Sequence, residues 1–122
     1  MNRRDSLKLL TLAASAGAFP GIALAHGARP IAIYDGRFAE GRAFARTIFR
    51  AHDCRHDAAA LWFAHFAGKT RPDMVIVGLT SAADALVLAD CARREGLGFR
   101  QDRTNRRHGP LVAWTIQAKG TA

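Results

Sequence analysis

The sequence predicts a small single-domain α/β protein. Its sheet is expected to be mostly parallel, a flavodoxin-like or Rossmann-like half with an antiparallel edge hairpin, and a cleavable signal peptide is expected to precede it. Three observations carry this reading. Short apolar runs alternate with segments of helical period between residues 30 and 116. The run Met74-Val75-Ile76-Val77-Gly78-Leu79 is apolar at successive positions, the pattern of a strand buried on both faces of a parallel sheet. A chain of 122 residues has room for one domain, at about 100–200 residues each.

In chain order, Pro30-Ile31-Ala32-Ile33-Tyr34 is a short strand ending at the turn signal Asp35-Gly36. Glu40 to His52 has helical spacing, with Phe44, Ile48 and Ala51 on one face and Arg42, Arg46 and Arg50 lining another at steps of four. The link Asp53-Cys54-Arg55-His56 is short and compatible with extended chain. Asp57 is placed to cap a helix on which Leu61, Trp62, His65 and Phe66 share a face, and Gly68 ends it. After the central strand, Thr80 or Ser81 caps a third helix. Asp84 stands three residues beyond Ser81, in a capping-box-like arrangement. Ala85, Leu88, Ala89 and Ala92 form the inner face of this helix, Cys91 falls outside that arc, and Gly96 closes it. Leu97–Arg100 and Leu111–Ile116 read as two further strands joined by a basic loop, hence a hairpin. This order is that of a small α/β domain, with right-handed crossovers setting strands 31–34 and 74–79 side by side and helices on both faces.

Composition narrows the classes. Hydrophobic residues make up 49% and charged residues 23%, so the chain is neither disordered nor a membrane protein throughout. Two cysteines are too few for a disulfide-built scaffold or a four-thiolate zinc site. The formal charge is +8, and 15 of the 18 basic residues are Arg, alongside 25 Ala. Arg, Ala and Gly have GC-rich codons, so genome composition accounts for part of the arginine excess.

The first 25 residues are expected to be an address rather than structure. Asn2 to Lys8 is a basic opening, Leu9 to Ile22 is modestly apolar and rich in Ala and Gly, and Ala23-Leu24-Ala25 supplies small residues at alternate positions, as signal peptidase requires. The pair Arg3-Arg4 followed by Leu7 and Lys8 resembles the twin-arginine (Tat) export signal of bacteria. Asn2 and Ser6 stand where that family prefers Ser or Thr before the arginines and Phe two residues after them. The resemblance implies that Arg3 and Arg4 are read by the Tat translocase and that the protein is periplasmic. A retained membrane anchor is disfavoured because about 20 strongly apolar residues are needed to span a bilayer. Leu9 to Ala25 includes Thr11, Ser15, Gly17, Pro20 and Gly21.

Cleavage after Ala25 leaves a domain of residues 26–122 with 15 basic and 9 acidic residues, a charge of +6. Nucleic acid is not a periplasmic partner, so the basic balance points to phosphates, acidic proteins or anionic lipid surfaces. The Tat route also implies a larger exported redox enzyme as a companion. No Cys cluster for iron–sulfur centres and no Cys-x-x-Cys-His for haem is present, so the sequence requires no cofactor.

Candidate sites follow from the topology. Ligands of open α/β sheets bind beyond the carboxyl ends of the strands. If the first and central strands are adjacent, Asp35, Arg37, Thr80 and Ser81 converge there, with hydroxyls, helix N-terminal amides and a guanidinium suited to a small anion. The same residues also serve as ordinary caps and turn formers. No Gly-rich phosphate loop or dinucleotide fingerprint is present. A second cluster, His52-Asp53-Cys54-Arg55-His56-Asp57, offers imidazoles and a thiol for zinc or copper, or a thiol of lowered pKa for a small metal- or thiol-dependent enzyme. A solvated loop is its alternative. Cys54 and Cys91 either pair as a disulfide or remain separate thiols. His26, as the new N-terminus, has the amine-plus-imidazole chemistry of a copper ligand. Arg103-Thr104-Asn105-Arg106-Arg107-His108 forms a basic hairpin tip, read as solvated surface or as a dock for an acidic partner. Ser81 is the only serine beyond the signal, and no Ser-His-Asp order stands out, which argues against a serine hydrolase.

Overall fold

A computed structural model describes residues 29–48, 50–55, 57–102 and 109–119. Arg3, Arg4, His26, His56 and the basic 103–108 tip lie outside the described residues. The elements run β1 (Ile31–Tyr34), α1 (Ala39–Ala45), β2 (Arg50–Asp53), α2 (Ala58–His65), β3 (Val75–Ser81), α3 (Ala82–Arg94), β4 (Leu97–Asp102) and β5 (Leu111–Ala118). The strands form one five-stranded sheet in the order β2-β1-β3-β5-β4. The α/β class is as the sequence predicts.

The sheet is mixed. β1 pairs in parallel with β2 and with β3, setting Ile33 beside both His52 and Gly78. β5 is antiparallel to both β3 and β4. The β4–β5 pair is the expected antiparallel partnership, with β4 at the edge. β5, however, runs back between β3 and β4, so half of the pairings are antiparallel.

Helices cover both faces because β1, β3 and β5 are apolar on both. On one face Ala32, Val75, Val77, Leu79, Leu111 and Ala113 pack with Phe38, Phe44 and Ile48, from α1 and its flanks. On the other, Ile33, Ile76, Trp114 and Ile116 meet Leu61, Trp62 and Phe66 of the α2 segment and Ala85, Leu88 and Ala92 of α3. Each large apolar side chain buried here contributes roughly 1.5–3 kcal/mol. Glu95, at the end of α3, ties the two helices of this face together. Its carboxylate accepts from Trp62 Nε1 at 3.0 Å, from the Gly68 amide at 3.2 Å and from Thr70 Oγ1 at 3.1 Å. Burial pushes the Glu95 carboxyl up, but these three hydrogen bonds outweigh it and hold the group below its ordinary value.

Three local expectations change. The helix expected over residues 40–52 stops at Ala45, where the Arg46 amide donates back to the Ala43 carbonyl and Thr47 donates to the Phe44 carbonyl through its amide and its hydroxyl. Residues 46–48 form a turn, and Arg50–Asp53 becomes an edge strand on β1. The Arg42/Arg46/Arg50 stripe is therefore divided among a helix, its cap and a strand. Cys91 is buried within the core, so the inner face of α3 is wider than the Leu88/Ala92 arc. His65 is exposed rather than sharing the buried face of Leu61, Trp62 and Phe66. The Asp57 cap on the Ala60 amide, the Ser81 cap on the Asp84 amide and the positive φ of Gly96 (80°) follow the sequence pattern.

Candidate functional site

The chain leaves β1 over one face of the sheet to reach β2, then returns over the other face to β3. The winding therefore reverses between β1 and β3, the place where open α/β sheets bind ligands. Two backbone hydrogen bonds continue the ladders past the strand ends: Asp35 donates to the Leu79 carbonyl at 3.2 Å and Cys54 to the Tyr34 carbonyl at 2.9 Å. They bring Asp35-Gly36-Arg37, Asp53-Cys54-Arg55 and Ser81 to one end of the sheet.

Asp35 is the centre of this end and is fully buried. Its carboxylate accepts from the Arg37 amide at 3.0 Å, from Arg37 Nε at 2.9 Å and from Arg37 Nη2 at 2.6 Å. The guanidinium is thus gripped along one edge, with its side chain 47% exposed, and the Phe38 ring lies 5.5 Å from its central carbon. The hydrogen bonds that the guanidinium donates to Asp35 are the main cause holding Arg37 above its ordinary pKa. Burial opposes it, and the charges of Asp35, Asp84 and Cys54 add to it. Nη1 and the outer hydrogen of Nη2 form the adjacent edge, a second two-donor fork turned away from Asp35.

Asp53 closes the β2 side. Its carboxylate accepts from the Gly36 amide at 2.9 Å and the Arg55 amide at 3.0 Å, and meets Arg55 Nε at 3.4 Å. These bonds hold Arg55 in the left-handed region, with φ at 43°. Arg42, from α1, donates to the Gly36 carbonyl at 2.8 Å. On the β3 side Ser81 caps α3, while the Asp84 carboxylate turns inward and accepts from the Cys54 thiol at 3.6 Å. The capping box is therefore half made: Ser81 serves Asp84, and Asp84 serves Cys54. In α3 the amides of Ala82 and Ala83 belong to the first turn, where a helix has no internal acceptor for its N–H groups.

Of the residues the sequence singled out for a small anion, Asp35 and Arg37 touch each other and Ser81 begins the helix beside them. Thr80 lies beneath this surface. It is fully buried, its hydroxyl accepts from Trp114 Nε1 at 2.9 Å and donates to the Ser81 carbonyl at 3.1 Å. Alternation along β3 explains this, because Thr80 shares the face of Gly78 that receives Trp114. Asp53, Asp84 and Arg42 belong to the same end and were not singled out as ligand groups. The available signal was the position of Asp53 at the end of an extended segment.

His52 and Cys54 share a face of β2 but reach different neighbours. The His52 ring lies 4.4 Å from the His65 ring and 5.7 Å, edge-on, from Phe66. Cys54 is 3% exposed and faces Asp84, so its thiol is not presented to solvent as a nucleophile. Among the described residues no group of three or more His, Cys, Asp or Glu side chains could hold a metal ion. Cys54 and Cys91 are not joined in a disulfide. Cys54 sits at Asp84, and Cys91 stands seven residues further along α3, about 10 Å at 1.5 Å per residue, whereas a disulfide needs Cα atoms within about 7 Å.

No protein-family model, curated protein or solved structure matches this chain. Among the described residues no helix is long and apolar enough to cross a membrane.

Proposed function

We propose that this is an exported, non-catalytic protein that binds a small oxyanion between the free edge of the Arg37 guanidinium and the first-turn amides of α3. The β2-β1-β3 start of the sheet is the order of a flavodoxin-like half, and its switch point is where such folds take ligands. The observation that carries the reading is the Asp35–Arg37 fork. A buried carboxylate fixes one edge of a half-exposed guanidinium, so its other edge is pre-oriented before a ligand arrives and loses little freedom on binding. Two parallel N–H groups match a carboxylate, phosphate or sulfate. The twin-arginine resemblance of residues 1–25 supports export to the periplasm through the Tat translocase, with a larger exported redox enzyme as the companion it implies.

The binding test is thermal unfolding with phosphate, sulfate and acetate. A ligand at about 100 times its dissociation constant adds about 2.7 kcal/mol, which raises the Tm of a domain this size by roughly 10–20 °C. R37Q removes the fork and is expected to weaken binding by roughly tenfold to a hundredfold. A82P removes one first-turn amide at a position where proline is tolerated. Ser81 before it already has φ −66° and ψ 160°, the conformation that precedes proline. Equal stabilisation of wild type, R37Q and A82P would end the reading. Export is tested by replacing Arg3 and Arg4 together with Lys, which should leave the precursor in the cytoplasm. Normal periplasmic levels of that variant would refute it.

A further inference from the structure

Charge is unevenly divided between the two ends of the sheet. At the switch-point end Arg37 and Arg55 are each paired with an aspartate. The opposite end, where β1, β2 and β3 begin, gathers five bases. They are Arg46 at the C-cap of α1, Arg50 at the start of β2, Lys69 between α2 and β3, Arg93 in the last turn of α3 and Lys119 just past β5. All five are exposed, and among the described residues none of them is in an ion pair. The acids of the same segments are already engaged: Asp73 with Arg71 at 3.4 Å, Asp90 with Arg94 at 3.0 Å, and Glu95 with Trp62, Gly68 and Thr70. We propose that this end of the domain is a docking surface for an anionic lipid membrane, held by charge at the level of the headgroups without insertion.

Local structure accounts for only two of the five. Arg46 and Arg93 stand at helix C-termini, where a cation complements the negative end of the helix dipole. Arg50, Lys69 and Lys119 stand at a strand start, in a connection and past a strand end, and have no such role. The topology brings them together, because the parallel strands begin where β5 and the helices α1 and α3 end.

The distribution suits a plane rather than a pocket. From β2 to β5 the sheet spans roughly 14 Å, at about 4.8 Å per strand, and α1 and α3 lie on opposite faces of it. The five charges therefore spread over both helical layers and the sheet between them. The exposed residues Gly68, Pro72 and Gly96 of this end carry no large apolar side chain, while Ile48 and Met74 are packed against the core. A specific protein–protein interface needs an apolar centre with anchors seated in pockets. A headgroup surface needs only charge, at a gain of roughly fivefold in partition per Lys or Arg. Residues 1–28 also join the described chain at this end, because Arg29 leads into β1. On the export reading of residues 1–25, on which this last point alone rests, a leader lying in a membrane holds this end toward the headgroups.

The test mixes the full-length chain with vesicles of phosphatidylcholine containing about one-third phosphatidylglycerol. Wild type is expected to co-sediment with them at about 0.05 M salt and to be released at about 1 M, where the Debye length falls to about 3 Å. R50Q/K69Q/K119Q changes only exposed side chains that are in no ion pair, so its Tm should match wild type while its partition falls roughly a hundredfold. The leader is common to both proteins, so the difference reads this surface. Spin-labelled lipid should broaden the amide NMR signals of Arg50, Lys69 and Lys119 before those of Gly36 and Arg37, a measurement that needs no variant. Equal partition of the two proteins, or first broadening at Gly36 and Arg37, would overturn the proposal. Retention on immobilised polyglutamate without vesicle binding would also overturn it and assign this end to an acidic protein. The oxyanion reading of the other end stands or falls separately, because its thermal test contains no lipid.

Discussion

Replacing Gly78 by alanine tests the packing that sets the position of the central strand. Gly78 stands opposite Trp114 in the β3–β5 ladder, and a Cβ built on it would run into the Trp114 ring atoms Cε2 and Cζ2. The ring has no easy retreat. It is fully buried, stacks on Phe99 with centroids 5.6 Å apart, and its Nε1 donates to Thr80 Oγ1 at 2.9 Å. Overpacking of this kind costs about 1–3 kcal/mol, and a displaced indole forfeits a hydrogen bond of about 0.5–1.5 kcal/mol. Against that, alanine in mid-strand recovers about 0.5–1 kcal/mol of backbone entropy relative to glycine. The net expectation for G78A is a loss of about 1–3 kcal/mol, or roughly 5–20 °C in Tm for a domain of this size. Urea and thermal unfolding followed by circular dichroism measure it. Combining G78A with W114L should be less damaging than the sum of the two changes by about 1 kcal/mol or more, because the smaller side chain vacates the contested space. A G78A variant within about 0.5 kcal/mol of wild type, or strictly additive effects in the pair, would refute the reasoning.

Glu95 makes stability depend on acid. Its folded pKa is depressed, so its contribution is complete above the ordinary carboxyl value of about 4.3 and is lost as pH falls through the lower folded value. E95Q should be less stable than wild type at neutral pH and converge with it in strong acid, and a constant difference between pH 7 and pH 3 in urea titrations would sink this. His52 acts in the same direction at higher pH. Its folded pKa is lowered, so the unfolded chain binds the extra proton and stability falls as pH drops below about 6.5. H52F should remove that component of the slope, and an unchanged slope between pH 7 and pH 5 would count against it. Both thiols should resist a thiol-reactive dye in the folded protein and react, without prior reduction, after denaturation. Failure to titrate two thiols after unfolding would contradict the separation of Cys54 from Cys91.

The elements legible in the sequence were those whose signal is local. The apolar run ending in Leu79, the Ser81 and Asp57 caps and the positive-φ Gly96 each depend on neighbours within a few residues. β2 was obscured because Arg50-Ala51-His52-Asp53 has no apolar alternation. Those residues are extended because β1 has a free edge to satisfy, and that is a long-range fact. Reading residues 40–52 as one helix places Asp53 in the short link after it rather than at the end of a strand beside β1, which hides the Gly36–Asp53 bond. The place of β5 between β3 and β4 had the same origin. A hairpin at the end of the chain predicts pairing of β4 with β5, but insertion beside β3 depends on Trp114 finding the space above Gly78, 36 residues earlier in the sequence.

Charge accounting at the switch point separates two kinds of anion recognition. The chain carries a formal +8, yet Arg37, Arg42 and Arg55 at this end are matched by Asp35, Asp53 and Asp84, and two of the arginines are paired directly. An anion approaching the proposed site would therefore meet little net field. What it meets is a guanidinium edge held in place by Asp35 and, at the start of α3, amides that no helical carbonyl can satisfy. Attraction by a diffuse basic surface weakens over a Debye length of about 10 Å at 0.1 M salt. Short charge-assisted hydrogen bonds are directional and depend far less on ionic strength. In the proposed site the pairing of Asp35 with Arg37 would thus exchange long-range attraction for orientation, and a ligand would be selected by the geometry of two oxygens rather than by charge alone.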